Sequence, residues 1–218
     1  MVATTSSDVL LNPTNHVLVF IDHQSQMLFG VQSHDGARII NNTLSLAKTA
    51  RLFSVPVVLT TVSEGFSGPV FEGLDALLGN PTHIEHTTVN AWEDPRVVDA
   101  VKRTGRTQVV LAGLWTEVCI AFPALCALRD GLEVYCVTDA CGGETREAHE
   151  MAVLRMIQAG VRPLTAAAYL FELQRDWARK ETYEGVLDIV RAHQPRFGVG
   201  LQYHRAVSGT PVREKEPV

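Results

Sequence analysis

The sequence predicts an α/β protein, a three-layer αβα sandwich built around a six-stranded parallel sheet. Two observations support this fold class. Strand-like and helix-like segments alternate along the chain from residue 16 to residue 193. The strand-like segments are short and almost entirely apolar, which is typical of parallel strands that are covered by helices on both faces.

The strand-like segments are rich in apolar and β-branched residues, and they fall at residues 16–22, 56–62, 83–89, 107–113, 132–139 and 161–165. Apolar residues at helical spacing predict helices over residues 35–54, 94–104, 118–130, 145–159 and, in two pieces, 172–193. Asp94 is a suitable N-cap for the second helix, Pro95 suits its first position, and Gly105 ends it.

The chain has no internal repeat and no linker-like segment, so residues 14–193 are predicted to form one domain. Residues 1–13 form a polar N-terminal extension. Residues 194–218 contain three glycines and three prolines and predict an irregular C-terminal tail. Such a tail either extends into solvent or packs as an arm on a neighbouring subunit.

Composition excludes several classes of protein. The 218 residues carry a formal charge of −5 with scattered basic residues, so we expect no nucleic-acid partner. No apolar run reaches the length of about 18 residues that a membrane span needs, and the polar start has no secretory signal pattern. The four cysteines lack CxxC spacing, which favours reduced thiols and a cytoplasmic location.

Topology brings one carboxylate and one thiol together. In a doubly wound sheet, ligands bind at the carboxyl ends of the strands, beside the point where strand order reverses. If the order is 3-2-1-4-5-6, strands 1 and 4 are neighbours there. Strand 1 ends at Asp22, and strand 4 leads within a few residues to Cys119 at the start of a helix. We therefore expect Asp22 and Cys119 to lie close together.

A thiol becomes a nucleophile as a thiolate, which a helix N-terminus favours and for which Asp22 is a possible proton acceptor. Position alone leaves open that Cys119 is a small buried hydrophobe and Asp22 a turn cap. Cys126 and Cys136 are expected to pack in the core, and Cys141, after a strand end, is a second candidate nucleophile.

Several separated motifs carry a family resemblance. The segments at 17–24 (VLVFIDHQ), 89–105 (VNAWEDPRVVDAVKRTG), 111–125 (LAGLWTEVCIAFPAL) and 137–143 (VTDACGG) together resemble the isochorismatase-like superfamily of cysteine hydrolases, and most closely its YcaC-like group. The likeness spans about residues 14 to 192. It implies an Asp–basic–Cys triad with Asp22 as acid and base, Cys119 as nucleophile, and a cis peptide at Leu114–Trp115. The backbone N–H groups of Trp115 and Cys119 would then form an oxyanion hole.

The basic member of the triad departs from the family pattern. Family members place Lys or Arg a few residues before the NAW motif, whereas residues 83–89 contain neither. His86 is the best positional match, and its reference pKa near 6.5 predicts only partial charge at neutral pH. The alternative interpretation is a surface histidine on a loop.

The other site predictions are weaker. Asn90, Trp92 and Phe29 are candidate pocket-lining residues, and Glu117 is a candidate for orienting the loop before Cys119. His23 and Gln24 read as turn residues, and His149 as a packed or surface histidine. No His or carboxylate spacing matches a metal site, so we expect no metal and no cofactor.

The resemblance implies hydrolysis of a small amide through a thioester intermediate, with a small-molecule substrate and a homo-oligomer, a tetramer or octamer. Two alternatives remain. A vinyl-ether hydrolase resembling true isochorismatases is disfavoured, because those members lack the cysteine. A non-catalytic scaffold with the same fold is supported only by the missing Lys or Arg.

Overall fold

The computed structural model describes residues 10–208 and contains one six-stranded sheet. All strand pairs are parallel and the order is 3-2-1-4-5-6, as the sequence predicts. The strands are β1 His16–Ile21, β2 Val57–Val62, β3 Ile84–His86, β4 Gln108–Gly113, β5 Glu133–Val137 and β6 Arg162–Leu164. The fold class is therefore confirmed.

Ten α-helices flank the sheet within the described part of the chain. They are α1 Ser25–Phe29, α2 Gly36–Leu52, α3 Glu64–Ser67, α4 Leu74–Leu78, α5 Pro95–Arg103, α6 Ala121–Arg129, α7 Arg146–Ala159, α8 Ala166–Gln174, α9 Lys180–His193 and α10 Pro195–Ser208. A π-helical turn, Thr116–Ile120, precedes α6. None of the helices formed by residues 10–208 is long and apolar enough to cross a bilayer.

The two central strands form the core and fix the position of the site. Every residue of β1 and β4 is buried, because helices cover both faces of the sheet. Their register pairs Ile21 with Gly113, so the residues that follow each strand emerge side by side. A Cβ at Gly113 would overlap the carbonyl oxygen of Ile21, so glycine permits this close approach.

Side-chain caps start helices α2, α5 and α7 where the sequence predicts, whereas α8 begins at Ala166, six residues before the predicted start at residue 172. Asp35 accepts hydrogen bonds from the N–H groups of Ala37 and Arg38, and Asp94 accepts one from the N–H of Arg96. Pro95 occupies the first position of α5, where its missing N–H costs nothing. Thr145 and Thr165 cap α7 and α8 in the same way.

The C-terminal segment differs from the prediction of an irregular tail. Residues Pro195–Ser208 form helix α10, which packs on α9 with Gly198 buried against Arg191. Pro195 begins the helix, and the interior glycines, read as loop signals, are tolerated because α9 supports the segment. Residues 1–9 and 209–218 lie outside the described residues, and the division into domain, extension and arm stays a prediction.

Candidate active site

Asp22 is fully buried directly after β1, in the left-handed backbone conformation with φ 55°. Its N–H donates to the carbonyl oxygen of Thr60. The carboxylate Oδ1 accepts a hydrogen bond from the Thr60 hydroxyl at 3.0 Å and faces His86 Nε2 at 3.1 Å. Oδ2 is buried without a hydrogen-bond partner. One carboxylate oxygen is therefore held in place while the other remains available.

His86 ends β3 and lies buried beside Asp22, so the structure brings these two predicted residues together. Its Nδ1 lies 2.9 Å from the carbonyl oxygen of Thr88, so that both ring nitrogens face oxygen acceptors. Burial alone would lower the pKa of His86. The hydrogen bond and charge of Asp22, the Thr88 carbonyl and the charge of Asp94 outweigh burial, and the pKa is raised above 6.5. The surroundings thus favour the doubly protonated, cationic ring.

Cys119 lies in the π-helical turn that precedes α6, and its side chain is only 6% exposed. Burial and the charge of Asp22 raise the pKa of its thiol to about 12, while a hydrogen bond from the Trp115 N–H acts in the opposite direction. The expectation that the helix N-terminus would favour a thiolate is therefore wrong for the single chain. Desolvation dominates, and the resting group is a neutral thiol beside a carboxylate.

The peptide bond Leu114–Trp115 is cis, as expected from the family resemblance. The Trp115 carbonyl accepts hydrogen bonds from the N–H groups of Val118 and Ile120, which closes the turn around Cys119. The Trp115 indole donates to the carbonyl of Met27 at 2.8 Å and lies against Gly30. These contacts attach the segment that carries Cys119 to α1, which lies in the connection after β1.

The predicted pocket-lining residues have other contacts. Asn90 caps a short 3₁₀ turn by accepting from the Trp92 N–H, and the Trp92 indole donates to Asp130 at 3.0 Å. Both side chains are buried in structural roles. Phe29 ends α1 with 85% of its side chain exposed. These contacts give no support to a lining role in the single chain, which stays a prediction.

Glu117 was predicted to orient the loop before Cys119, but the hydrogen bond that its Oε1 accepts comes from the N–H of Glu144, in the loop between β5 and α7, at 2.9 Å. The predicted role stays a prediction. Glu117 Oε2 is buried without a partner. His149 is buried, as one of the two interpretations expected, and its Nδ1 lies 2.9 Å from the Thr116 hydroxyl. Both contacts brace the π-helical turn from the side of α7.

Two residues that interact with the site were given no such role from the sequence. Thr60 hydrogen-bonds to Asp22, and a polar residue late in the buried strand β2 was the available signal. Gln24, predicted as a turn residue, accepts from the Val62 N–H and donates to the Gly68 carbonyl, so its side chain ties the β1 and β2 loops together.

Metal-binding groups were sought across residues 10–208. That part of the chain contains no cluster of three or more His, Cys, Asp or Glu side chains able to hold a metal ion. The edge of the sheet brings together a thiol, a carboxylate and an imidazole.

This arrangement of a buried Asp, a basic side chain and a Cys at the edge of a 3-2-1-4-5-6 sheet coincides with a family match. Residues 16–168 match the Isochorismatase domain, and the chain belongs to the isochorismatase family. It is 35% identical over 195 residues to the Escherichia coli protein named "Probable hydrolase YcaC", covering 88% of this chain and 93% of that one.

Solved structures give the same result. YcaC from Pseudomonas aeruginosa, solved with hexane-2,5-diol and covalent acrylamide, has a TM-score of 0.87 and 34% identity, covering 93% of this chain and 99% of that one. The YcaC gene product from Escherichia coli, described as an octameric hydrolase of unknown specificity, has a TM-score of 0.87 and 33% identity, covering 91% and 98%. The protein is thus an isochorismatase-family hydrolase of the YcaC type.

Proposed function

We propose that this hydrolase cleaves the C–N bond of a small amide, with Cys119 as nucleophile and Asp22 as acid and base. The observation that carries the proposal is the free oxygen of Asp22. Oδ1 is occupied by Thr60 and His86, whereas Oδ2 is buried without a partner next to a thiol whose pKa responds to the Asp22 charge. A carboxylate held in this way is oriented for proton transfer.

The first half of the reaction forms a thioester. The Cys119 Sγ–H proton moves to Asp22 Oδ2 as Sγ attacks the amide carbonyl carbon, and the carbonyl oxygen becomes an oxyanion. The N–H groups of Trp115 and Cys119 are the proposed donors to that oxyanion. The tetrahedral adduct then collapses, the C–N bond breaks, and Asp22 returns its proton to the departing nitrogen, releasing ammonia or an amine.

The second half restores the enzyme. Asp22 accepts a proton from a water molecule, whose oxygen attacks the thioester carbonyl carbon. The C–S bond breaks, the carboxylic acid leaves, and the proton returns to Cys119 Sγ. The resting thiol has a pKa of about 12, so little thiolate exists before the attack. Proton transfer to Asp22 must therefore accompany the attack.

His86 takes the place of the basic triad residue in this proposal. Its Nε2–H donates to Oδ1, which fixes the carboxylate plane and directs Oδ2 away from the ring. Its positive charge offsets the cost of a buried carboxylate. A histidine that titrates makes this support dependent on pH, unlike Lys or Arg.

One relative gives chemical support. The Pseudomonas aeruginosa YcaC structure contains covalent acrylamide. Acrylamide is an electrophile that alkylates reactive thiols, and it also carries a primary amide. An adduct of this kind is the expected product of a nucleophilic cysteine in a site that accepts small amides.

The scaffold alternative also has an observation in its favour, the burial and raised pKa of Cys119. Alkylation by iodoacetamide distinguishes a non-catalytic scaffold from a cysteine hydrolase. We expect Cys119, although buried, to react with iodoacetamide faster than the partly exposed Cys126 in labelling followed by peptide mass spectrometry. Reaction of Cys119 no faster than that of a free cysteine would favour the scaffold.

The direct test is ammonia release from a panel of small primary amides. We expect turnover of at least one amide by the wild-type protein and none by Cys119→Ala, while Cys126→Ala serves as the matched thiol control. Full activity in Cys119→Ala would exclude the mechanism. Cleavage of isochorismate without release of ammonia from any amide would instead assign C–O bond hydrolysis.

We also propose a homo-oligomer, a tetramer or octamer. The Escherichia coli relative is described as octameric. In this chain, Met151, Leu154 and Ile157 are exposed on one face of α7, at a spacing that forms a continuous apolar stripe. Burying such a stripe between subunits is favourable. Sedimentation velocity showing a stable monomer of 23.9 kDa would contradict this proposal.

A further inference from the structure

A cavity of about 740 Å³ opens between α2, α9 and α10, and it is lined by residues outside the Asp22–Cys119 centre. Its wall carries two arginines, Arg38 and Arg196, and no acidic side chain. No ion pair joins either guanidinium to a carboxylate of residues 10–208. The cavity wall therefore carries two guanidinium groups that form no ion pair within the described residues, and the charge of Arg38 also acts on Asp139.

The first turn of α10 adds further donors. The helix begins at Pro195, and the N–H groups of Arg196 and Phe197 lie in its first turn, where no intrahelical acceptor exists. The Gln194 side-chain nitrogen Nε2 is buried without a hydrogen-bond partner at the same place. An N-terminus of a 14-residue helix with two guanidinium groups beside it favours an oxyanion.

His193 gives an independent indication of a ligand. Its side chain lines the cavity, is 9% exposed, and leaves Nε2 buried without a partner. The contacts of Asn41 decide whether Nε2 of His193 is a hydrogen-bond donor or an acceptor. The Asn41 amide nitrogen donates to the His193 carbonyl, so its Oδ1 is the acceptor for His193 Nδ1 at 3.0 Å. Nδ1 therefore carries the proton.

With the proton on Nδ1, the Nε2 of a neutral ring is an acceptor without a donor. Burial, followed by the charge of Lys48, lowers the pKa of His193 to about 4, so the ring is neutral at pH 7. A buried acceptor left without a donor is costly. An anion that carries no O–H group does not satisfy it, whereas a ligand hydroxyl does.

We propose that this cavity binds a small hydroxylated oxyanion. Its carboxylate or phosphate contacts Arg38, Arg196 and the N-terminus of α10, and a neighbouring hydroxyl donates to His193 Nε2. The apolar side chains of Pro195 and Phe197 line the cavity beside the polar groups and contact the carbon skeleton. This site is separate from the proposed hydrolytic centre and does not depend on it.

Calorimetric titration in a chloride buffer tests the proposal with two matched pairs of probes. Citrate and tricarballylate differ by one hydroxyl, and glycerol 3-phosphate carries two hydroxyls that propyl phosphate lacks. We expect the hydroxylated member of one pair to bind about tenfold more tightly than its partner, and which pair does so distinguishes a carboxylate from a phosphate ligand. Equal affinity within both pairs, or no binding at about 10 mM, would overturn the proposal.

Variants locate the site. Arg196→Ala should weaken binding about tenfold or more, whereas Arg155→Ala, which removes an exposed arginine from α7, should leave it unchanged. Cys119→Ala should bind with wild-type affinity. Equal weakening by Arg155→Ala indicates unspecific charge attraction, and loss of binding in Cys119→Ala places the ligand at the hydrolytic centre; either result refutes the proposed site. Circular dichroism verifies that each variant is folded.

Discussion

At the residue scale, the two carboxylate oxygens of Asp22 have different surroundings, and the proposed mechanism depends on this difference. Oδ1 is held by Thr60 and His86, while Oδ2 has no partner. The same carboxylate raises the pKa of Cys119 by its charge. In the proposed mechanism, Asp22 disfavours a free thiolate in the resting enzyme and accepts the thiol proton during the attack.

Asp22→Asn separates these two effects. Loss of the base should reduce kcat by about 10²–10⁴-fold. Loss of the negative charge should lower the Cys119 pKa below its present value of about 12. Ammonia release measures the first effect, and the pH dependence of iodoacetamide labelling measures the second. Glu144→Gln, which removes an exposed carboxylate, is the control. An unchanged labelling profile in Asp22→Asn would contradict the assigned interaction.

In the proposed mechanism, His86 gives the reaction a pH dependence whose sign follows from its raised pKa. The cationic ring stabilises the Asp22 carboxylate fully below about pH 6.5, and this support is lost as pH rises through the raised pKa of the folded state. We expect kcat/KM to fall on the alkaline side as His86 deprotonates.

His86→Lys should move this alkaline decline to higher pH, because lysine has a reference pKa of about 10.4. His204→Lys, a substitution at an exposed position of α10, should leave the profile unchanged. The pH dependence of kcat/KM for the amide identified in the panel is the measurement. An active His86→Lys variant with an unshifted profile would show that His86 does not set the decline.

At the scale of secondary-structure elements, α1 and the π-helical turn are connected through Trp115. The indole donates to Met27 and lies against Gly30, whose φ of −82° is open to any residue. A Cβ at Gly30 would lie 2.5 Å from Trp115 Cζ2, so the glycine is required by contact and not by backbone conformation.

Gly30→Ala should displace the indole and with it the segment that carries Cys119. We expect a loss of activity of about tenfold or more, with a fall in stability of about 1–3 kcal/mol from overpacking. Gly65→Ala on α3 is the matched control, since a Cβ there meets no atom within 4 Å. Amide turnover and urea unfolding report the two effects. Wild-type turnover in Gly30→Ala would argue against coupling between α1 and the nucleophile.

Most of the long helices could be predicted, and the shortest helices could not. Helices α2, α5 and α7 have caps and repeated apolar spacing that the sequence displays openly. Helices α1, α3 and α4 have five residues or fewer, which is too short for a periodic pattern. Helix α10 was missed because glycine and proline are typical of loops, and the sequence does not show that this segment packs on α9.

At the scale of the whole molecule, topology alone predicted that Asp22 and Cys119 meet, because the carboxyl ends of adjacent parallel strands lie at one edge. The state of the thiol could not be predicted in this way. It depends on how deeply the surrounding loops bury Cys119, and loop packing is a tertiary property. The cationic tendency of His86 likewise depends on Asp22 and Asp94, which only the fold places near it.

Buried neutral histidines should make the whole fold sensitive to acid. Burial lowers the pKa of His16, His23 and His149 from 6.5 to about 4. Their contribution to stability is present above about pH 6.5 and is lost as pH falls towards 4, because the unfolded chain takes up protons first. Each histidine contributes a slope of up to about 1.4 kcal/mol per pH unit in that range.

Urea unfolding at several pH values between 6.5 and 4 measures this slope. His16→Gln should reduce it by the share of one histidine, whereas His204→Gln, at an exposed position, should not change it. A slope that is the same in wild type and His16→Gln would show that His16 is protonated equally in the folded and unfolded states.

The position of Cys119 depends on the number of residues in the π-helical turn Thr116–Ile120. Its hydrogen bonds run from Ile120 to Trp115 and from Ala121 to Thr116, five residues back instead of four. The turn therefore contains one residue more than an α-helical start would. Deleting one residue there would leave α6 intact but rotate Cys119 by about 100° around the helix axis. The presence of this single additional residue thus decides whether the sulfur of Cys119 faces Asp22.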